Sequence, residues 1–183
     1  MWSVRSHSGQ APFMNVSDLE RLYEFVAESR HRFLAKFRDL GWAETNRDRG
    51  ATQGSMHAIF VHMLEVEDSW LHYDIPGKPW QYGDRDPSAF TSFDAVEAYD
   101  EDLSGRTEEL LRGLTDADLG REVEFDGARG RVKSTVEHIA IHTAIDEIAH
   151  LGELVALLWQ LDVEPPWRNW IRRYLTEIGS PPQ

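Results

Sequence analysis

The chain reads as an all-α protein, a four-helix bundle, and three observations predict it. Four long stretches repeat apolar residues at intervals of three and four, the spacing of one face of a helix. Pro and Gly gather between those stretches rather than inside them. Two of the stretches open on Ser-x-x-Glu, Ser17-Asp-Leu-Glu20 and Ser134-Thr-Val-Glu137. In that pattern the hydroxyl and the carboxylate each satisfy a backbone N–H that the first helical turn leaves unpaired.

Residues 1–16 are polar and irregular and read as a flexible N-terminal arm, which leaves 17–183 as a single domain. The first helix runs from Ser17 to about Leu40, with Leu19, Leu22, Val26, Phe33, Phe37 and Leu40 on one face, and Gly41 ends it. Ala43 to Gly50 is charged and reads as a loop. The second helix spans Gln53 to His72, carrying Met56, Ile59, Phe60, Met63, Val66 and Trp70. His62 projects beside Ile59, Val66 and Ser69 and so belongs to a partly buried face, whereas His57 and His72 lack such company.

Residues 73–91 hold Pro76, Gly77, Pro79, Gly83 and Pro87 among Tyr73, Trp80, Tyr82 and Phe90. That is a loop, and its aromatic content suits a lid or an interface. Ser92 to about Gly113 forms the third helix, with Phe93, Val96, Tyr99, Leu103 and Leu110 in register. Thr115-Asp-Ala-Asp118 caps one short turn. Arg121–Phe125 and Arg131–Lys133 then flank Asp-Gly-Ala-Arg-Gly, a short hairpin-like insert. The fourth helix covers Ser134 to Leu161. After a Val-Glu-Pro-Pro turn, a small C-terminal helix runs from Trp167 to about Ile178, with Trp167, Trp170 and Tyr174 on one side. No repeat or linker marks a second domain.

Composition narrows the function classes. A hydrophobic content of 41% with seven Trp supports a packed core in a chain of 183 residues. Lys and Arg number 19 against 32 Asp and Glu, a formal charge of -13 that repels phosphate backbones, so no nucleic-acid partner is expected. The absence of cysteine removes disulfides, thiolate ligands and a cysteine nucleophile, so any metal site must use His, Asp or Glu. No apolar run is long enough to span a bilayer, and the N-terminus lacks the apolar core of a signal peptide. The expectation is a cytoplasmic protein with no membrane partner. Gly-rich phosphate loops, a serine elbow and the His-Glu-x-x-His zincin pattern are absent.

The chemistry concentrates on the fourth helix. Turning each residue by about 100° places Val136, Ile139, Thr143, Leu154 and Leu157 on one stripe, with Asp146 and His150 inside it. An acid and an imidazole on a core face each cost roughly 1–3 kcal/mol unless satisfied. One turn apart, their side chains can meet at a point, and a divalent metal there would satisfy both. With His62 from the second helix they form a candidate two-His, one-carboxylate set, suited to Zn, Ni, Fe or Mn. The competing reading is three polar residues hydrogen-bonded near the core without metal.

His138-x-x-x-His142 also has ligand spacing, but His138 turns toward solvent and His142 sits on the edge of the stripe. Glu28-Ser-Arg-His31 and Glu147-Ile-Ala-His150 raise a di-iron centre. His31 points away from the apolar face of its helix, which argues against it. Glu65, Glu67 and Glu147 are candidate acceptors for ligand imidazole N–H groups, or else solvated helix charges.

The segment His142-Thr-Ala-Ile-Asp-Glu-Ile-Ala-His-Leu-Gly-Glu-Leu, with Val61-His-Met-Leu-Glu-Val-Glu-Asp-Ser-Trp70 before it, resembles the DinB/YfiT-like proteins. The likeness runs from Val16 to about Leu161. It implies an up-down-down-up bundle, often dimeric, with a mononuclear divalent metal. His62 matches the family's first ligand and His150 its last. Asp146 stands where the family usually has His, with His142 the possible substitute, and Leu151 stands where it usually has Arg. The implied function is an enzyme in which the metal activates a low-molecular-weight thiol or water toward a small electrophilic substrate, by transfer or hydrolysis. The alternative is a non-catalytic dimeric module with a structural or sensory metal site, or none. The Trp167/Trp170/Tyr174 stripe and the aromatic loop add apolar surface suited to a homodimer.

Overall fold

Each long helix starts where a side chain accepts the unpaired N–H groups of its first turn. In a computed structural model of the chain, which describes residues 13–78, 89–127, 130–166 and 170, α1 (Val16–Leu40) is capped by Asn15, whose side chain accepts from the Asp18 N–H while its backbone N–H donates to the Asp18 carboxylate. Ser55 caps α3 (Met56–Ser69), Ser92 caps α4 (Phe93–Gly113) and Thr135 caps α6 (Val136–Trp159). Two caps therefore differ from the expected Ser17 and Ser134. Asn15 sets the start of α1 two residues earlier. At α6 the preceding strand runs through Thr135, so the helix cannot begin before Val136. Glu137, expected to close a box with Ser134, accepts the Met14 N–H at 2.6 Å instead.

Between the long helices the chain makes short elements. Gly41 ends α1, and a single turn, α2 (Trp42–Thr45), follows where a loop was expected. Beyond α3 the winding widens to a π-helical turn over Trp70–Asp74, which puts Leu71 and Ile75 into the core. After α4 come α5 (Asp116–Leu119) and an antiparallel hairpin, β1 (Glu122–Gly127) and β2 (Gly130–Thr135), in the place predicted for it. The predicted C-terminal helix lies outside the described residues, apart from Trp170. So do most of the N-terminal arm and residues 79–88 of the aromatic loop. Phe90, from the described end of that loop, stacks on Tyr99 at 5.3 Å and belongs to the core periphery.

Contacts between helices fix the topology. Arg38 near the end of α1 binds Asp94 and Glu97 at the start of α4, so these two helices run antiparallel. Thr52 just before α3 holds Glu153 late in α6, and Trp70 just after α3 packs on His142 early in α6, so that pair is antiparallel too. Tyr23 and Arg30 of α1 reach Ala140 and Glu147 of α6 in the same order, a parallel pair. The result is an up-down-down-up four-helix bundle.

The apolar core falls into two halves. One holds Phe33 and Phe37 of α1, Met56 to Leu64 of α3, Leu103 of α4 and Leu151 to Leu158 of α6. The other holds Leu19, Tyr23 and Val26 of α1, Leu71 after α3, Leu111 of α4 and Val136 to Ala144 of α6. Between them lies a buried polar layer. Arg30, 1% exposed, donates from Nε to Asp100 (2.7 Å), from Nη1 to Glu147 (2.6 Å) and Glu67, and from Nη2 to Ser104 (2.9 Å). Thr107 donates to Glu67 at 2.5 Å. Its one hydroxyl proton is thus committed, so at 3.1 Å it accepts from His72 Nε2.

One guanidinium cannot balance three ionised carboxylates in this layer. Burial, helped by the charge of Glu67, pushes the Glu147 carboxyl well above its ordinary range against the pull of Arg30. Burial likewise raises Asp100. Burial would raise Glu67 too, but Arg30 and the hydrogen bonds it accepts hold it below the usual value. Burial thus favours the protonated form of Glu147, while Arg30 favours the charged form of Glu67. A carboxyl raised on folding contributes stability that is complete below its unfolded pKa and is lost as pH climbs through the folded one. Stability should accordingly fall as pH rises from the ordinary carboxyl range toward the raised Glu147 pKa. Glu147→Gln, which has no proton to lose, should flatten that decline in urea unfolding followed across pH. Arg30→Met should cost about 3–5 kcal/mol by leaving the carboxylates unpaired. An unchanged pH slope in Glu147→Gln would place the titration elsewhere.

Candidate metal centre

His62 lies on α3, and Asp146 and His150 lie one turn apart on α6, which runs antiparallel beside it. The structure brings the three together: one ligand atom from each lies within 4.8 Å of the others. The rings of His62 and His150 meet edge to face, with centroids 5.0 Å apart and planes at 87°. Asp146 Oδ2 is 3.7 Å from His150 Nε2, beyond a hydrogen bond. All three residues are partly buried.

The buried face of α6 carries Val136, Ile139, Ala140, Thr143, Ala144, Glu147, Leu151, Leu154, Leu157 and Leu158. Asp146 and His150 are partly buried and lie toward the Ile139, Thr143 and Leu157 side of that face, where it meets α3. This position leaves the site reachable from outside while the core stays dry. Five residues separate His62 from Glu67, a rotation of about 140°, so α3 presents them to different sides. The layer around Arg30 and the triad are separate features of the bundle.

Asp146 Oδ2 is buried and accepts no hydrogen bond. A desolvated carboxylate oxygen normally finds a donor. Here it stands beside two imidazoles, and the donor set is two nitrogens and one oxygen with no sulfur. That chemistry fits a borderline divalent ion.

His150 Nδ1 lies 3.3 Å from a Glu153 oxygen. A carboxylate accepts, so Nδ1 carries a proton toward Glu153, and Nε2 faces Asp146. Burial alone would raise the Glu153 carboxyl, but hydrogen bonds from Thr52 and the contact with His150 hold it low.

The other candidates are placed elsewhere. His142 is exposed and packs on Trp70, ring centroids 5.5 Å apart, and His138 is exposed. His57, expected to lack apolar company, is 4% exposed and its ring lies 4.8 Å from the Trp42 ring. His31 is half exposed, 3.7 Å from Asp100, and Arg30 fills the centre that a di-iron reading would need. Glu67 and Glu147 serve Arg30 rather than the ligand imidazoles, and Glu65 is half-buried. The imidazole acceptor is Glu153, which sequence reasoning missed. Its signal was present: Asp146, His150 and Glu153 follow at i, i+4 and i+7, one stripe of a helix. Arg30 and Asp100 were also missed, although Arg30 sits between Val26 and Phe33, and Asp100 between Val96 and Leu103, at apolar-stripe spacing.

A cavity of about 870 Å³ opens between α1 and α4, reaching Arg30 and Glu67, with no triad residue in its lining. No helix among the described residues is long and apolar enough to cross a membrane. The family model described as the DinB superfamily matches residues 26–154, a span that includes all three triad residues. No curated protein matches the chain.

Proposed function

The chain belongs to the DinB superfamily, and from that premise we propose that it is a mononuclear divalent-metal protein whose ligands are His62, Asp146 and His150. The observation that carries this reading is Asp146 Oδ2, buried without a hydrogen bond beside two imidazoles. His62 and His150 supply neutral nitrogen donors from facing helices, and Asp146 supplies one negative charge. Glu153 holds the proton of His150 on Nδ1, which keeps Nε2 available. Zn, Ni, Fe and Mn all suit the donor set, and the carboxylate favours the harder ions more than a third imidazole would.

Three protein ligands leave coordination positions for a small molecule, which supports a metal-dependent enzyme. A divalent ion there supplies Lewis acidity that lowers the pKa of a thiol or water beside a small electrophile. The chain has no cysteine, so a low-molecular-weight thiol enters as cosubstrate in the transferase form of this proposal, and water in the hydrolase form. The second reading is a non-catalytic module with a structural or sensory ion. Thiol-dependent conjugation or hydrolysis that appears with the metal and disappears in Asp146→Ala distinguishes the enzyme from the module.

Metal content separates ligands from bystanders. Asp146→Ala should lose most of the metal retained by protein purified without added ions, measured by elemental analysis. Asp146→His should keep it, and His142→Ala should match the wild type. Unchanged occupancy and an unchanged cobalt spectrum in Asp146→Ala would remove Asp146 from the ligand set.

A homodimer is proposed alongside. Its support is the outer face of α6, where Ile145, Ile148 and Trp159 are 58%, 39% and 54% exposed around the uncharged Ala149, Gly152 and Ala156. Light scattering should give twice the monomer mass at micromolar concentration, and Ile145→Lys should shift it to the monomer. Wild-type protein that is already monomeric there would sink the dimer.

A further inference from the structure

Glu153 stands outside the triad yet touches it. Both of its oxygens are held by a single residue 101 positions away: the Thr52 N–H donates to Oε1 at 2.8 Å and the Thr52 hydroxyl to Oε2 at 2.7 Å. Oε2 is also the atom that His150 Nδ1 faces. An unbroken chain of polar contacts thus runs from Thr52 through Glu153 to His150.

Thr52 is not on a loose loop. Arg49 N–H donates to the Gly54 carbonyl at 2.8 Å, Gly54 N–H donates to Ala51 at 2.9 Å, and Ala51 bridges Gly54. Gly50 and Gly54 turn the chain at φ +64° and +84°, in the left-handed region that side-chain-bearing residues rarely adopt. Ser55 follows at once and caps α3, the helix that carries His62. The turn is therefore shaped by its own backbone and joined directly to one ligand helix, while Thr52 grips the other.

We propose that Glu153 is a positioning residue of the metal centre and that the Arg49–Gly54 turn holds it in place, so that binding at the triad and the order of this turn are linked. The inference rests on the metal reading above. Glu153 fixes the tautomer and ring orientation of His150, so Nε2 points at Asp146 and His62 before any ion arrives. Thr52 removes the freedom Glu153 would otherwise have to swing into solvent. The competing role is a plain staple between the turn and α6 that leaves the ligands indifferent.

The test uses the full chain, Co(II) and Zn(II) as probes, and three readouts other than activity. Competition titration should show Glu153→Ala binding about 10–100-fold more weakly, with Thr52→Val, which keeps the N–H donor, weakened less. Nitrogen NMR of the metal-free protein should report a proton on His150 Nδ1 in the wild type and its loss from that position in Glu153→Ala, a change that a staple would not cause. Zn(II) should slow amide exchange at Thr52 and Gly54 in the wild type and not in Glu153→Ala. Wild-type affinity and an unaltered His150 tautomer in Glu153→Ala, with binding abolished in His62→Ala, would overturn the positioning role and leave the metal reading standing. If His62→Ala, Asp146→Ala and His150→Ala all bind as the wild type does, the metal reading fails and this inference with it.

Discussion

Burying a guanidinium inside a helical bundle costs several kcal/mol unless its charge is met at close range by fixed partners. Arg30 is in that position, and the rest of the bundle is arranged around meeting it. Glu67, Asp100 and Glu147 come from the three other long helices, so each helix contributes one carboxylate to one cation. Apolar packing tolerates some axial sliding, because one methyl group replaces another. A guanidinium with directional N–H groups does not. Sliding any of the four helices by one turn would strand at least one charge in a dry interior, so the layer fixes the register of all of them at once.

That register is what assembles the candidate metal centre. Glu147 and Asp146 are neighbours on α6, and Glu67 lies little more than a turn beyond His62 on α3. Locking Glu67 and Glu147 to Arg30 leaves α3 and α6 no axial freedom at this level. His62 is therefore set opposite the Asp146–His150 turn, with ring centroids 5.0 Å apart. The two features face different sides of the same helices, which keeps the cation of one from competing with the donors of the other. A metal site beside the buried layer rather than within it also remains open to small molecules.

The turn ahead of α3 adds a second constraint of a different kind. The Arg30 layer sets axial register from inside the bundle, while Thr52 ties α3 to α6 from the rim through Glu153. Both ends of the ligand geometry are thus held: the helix backbones by buried charge, and the imidazole of His150 by a carboxylate that is itself held. For a bundle carrying a net charge of -13, this division is reasonable. Repulsion among surface carboxylates loosens the exterior, and the interior pairing offsets it.

What the sequence determined by itself is everything that depends on neighbours a few residues apart. A helix turns by about 100° per residue whatever surrounds it. The four long helices, the Pro- and Gly-rich breaks, the hairpin and the placing of Asp146 and His150 on one side of a helix followed from spacing. The partly buried face of the second helix made His62 a candidate beside them, and the resemblance matched it to the family's first ligand. The caps fall one or two residues from Ser17 and Ser134, at Asn15 and Thr135, because the segments preceding each helix set where it can begin. What only the tertiary structure decided is which charges meet across helices. Arg30 and Glu147 are 117 residues apart and Thr52 and Glu153 are 101 apart, and no local rule sets the relative height of two helices. Periodicity could mark Glu67 and Glu147 as charges needing partners. Their assignment to Arg30, and of Glu153 to His150, came from axial register, which exists only once the bundle has packed.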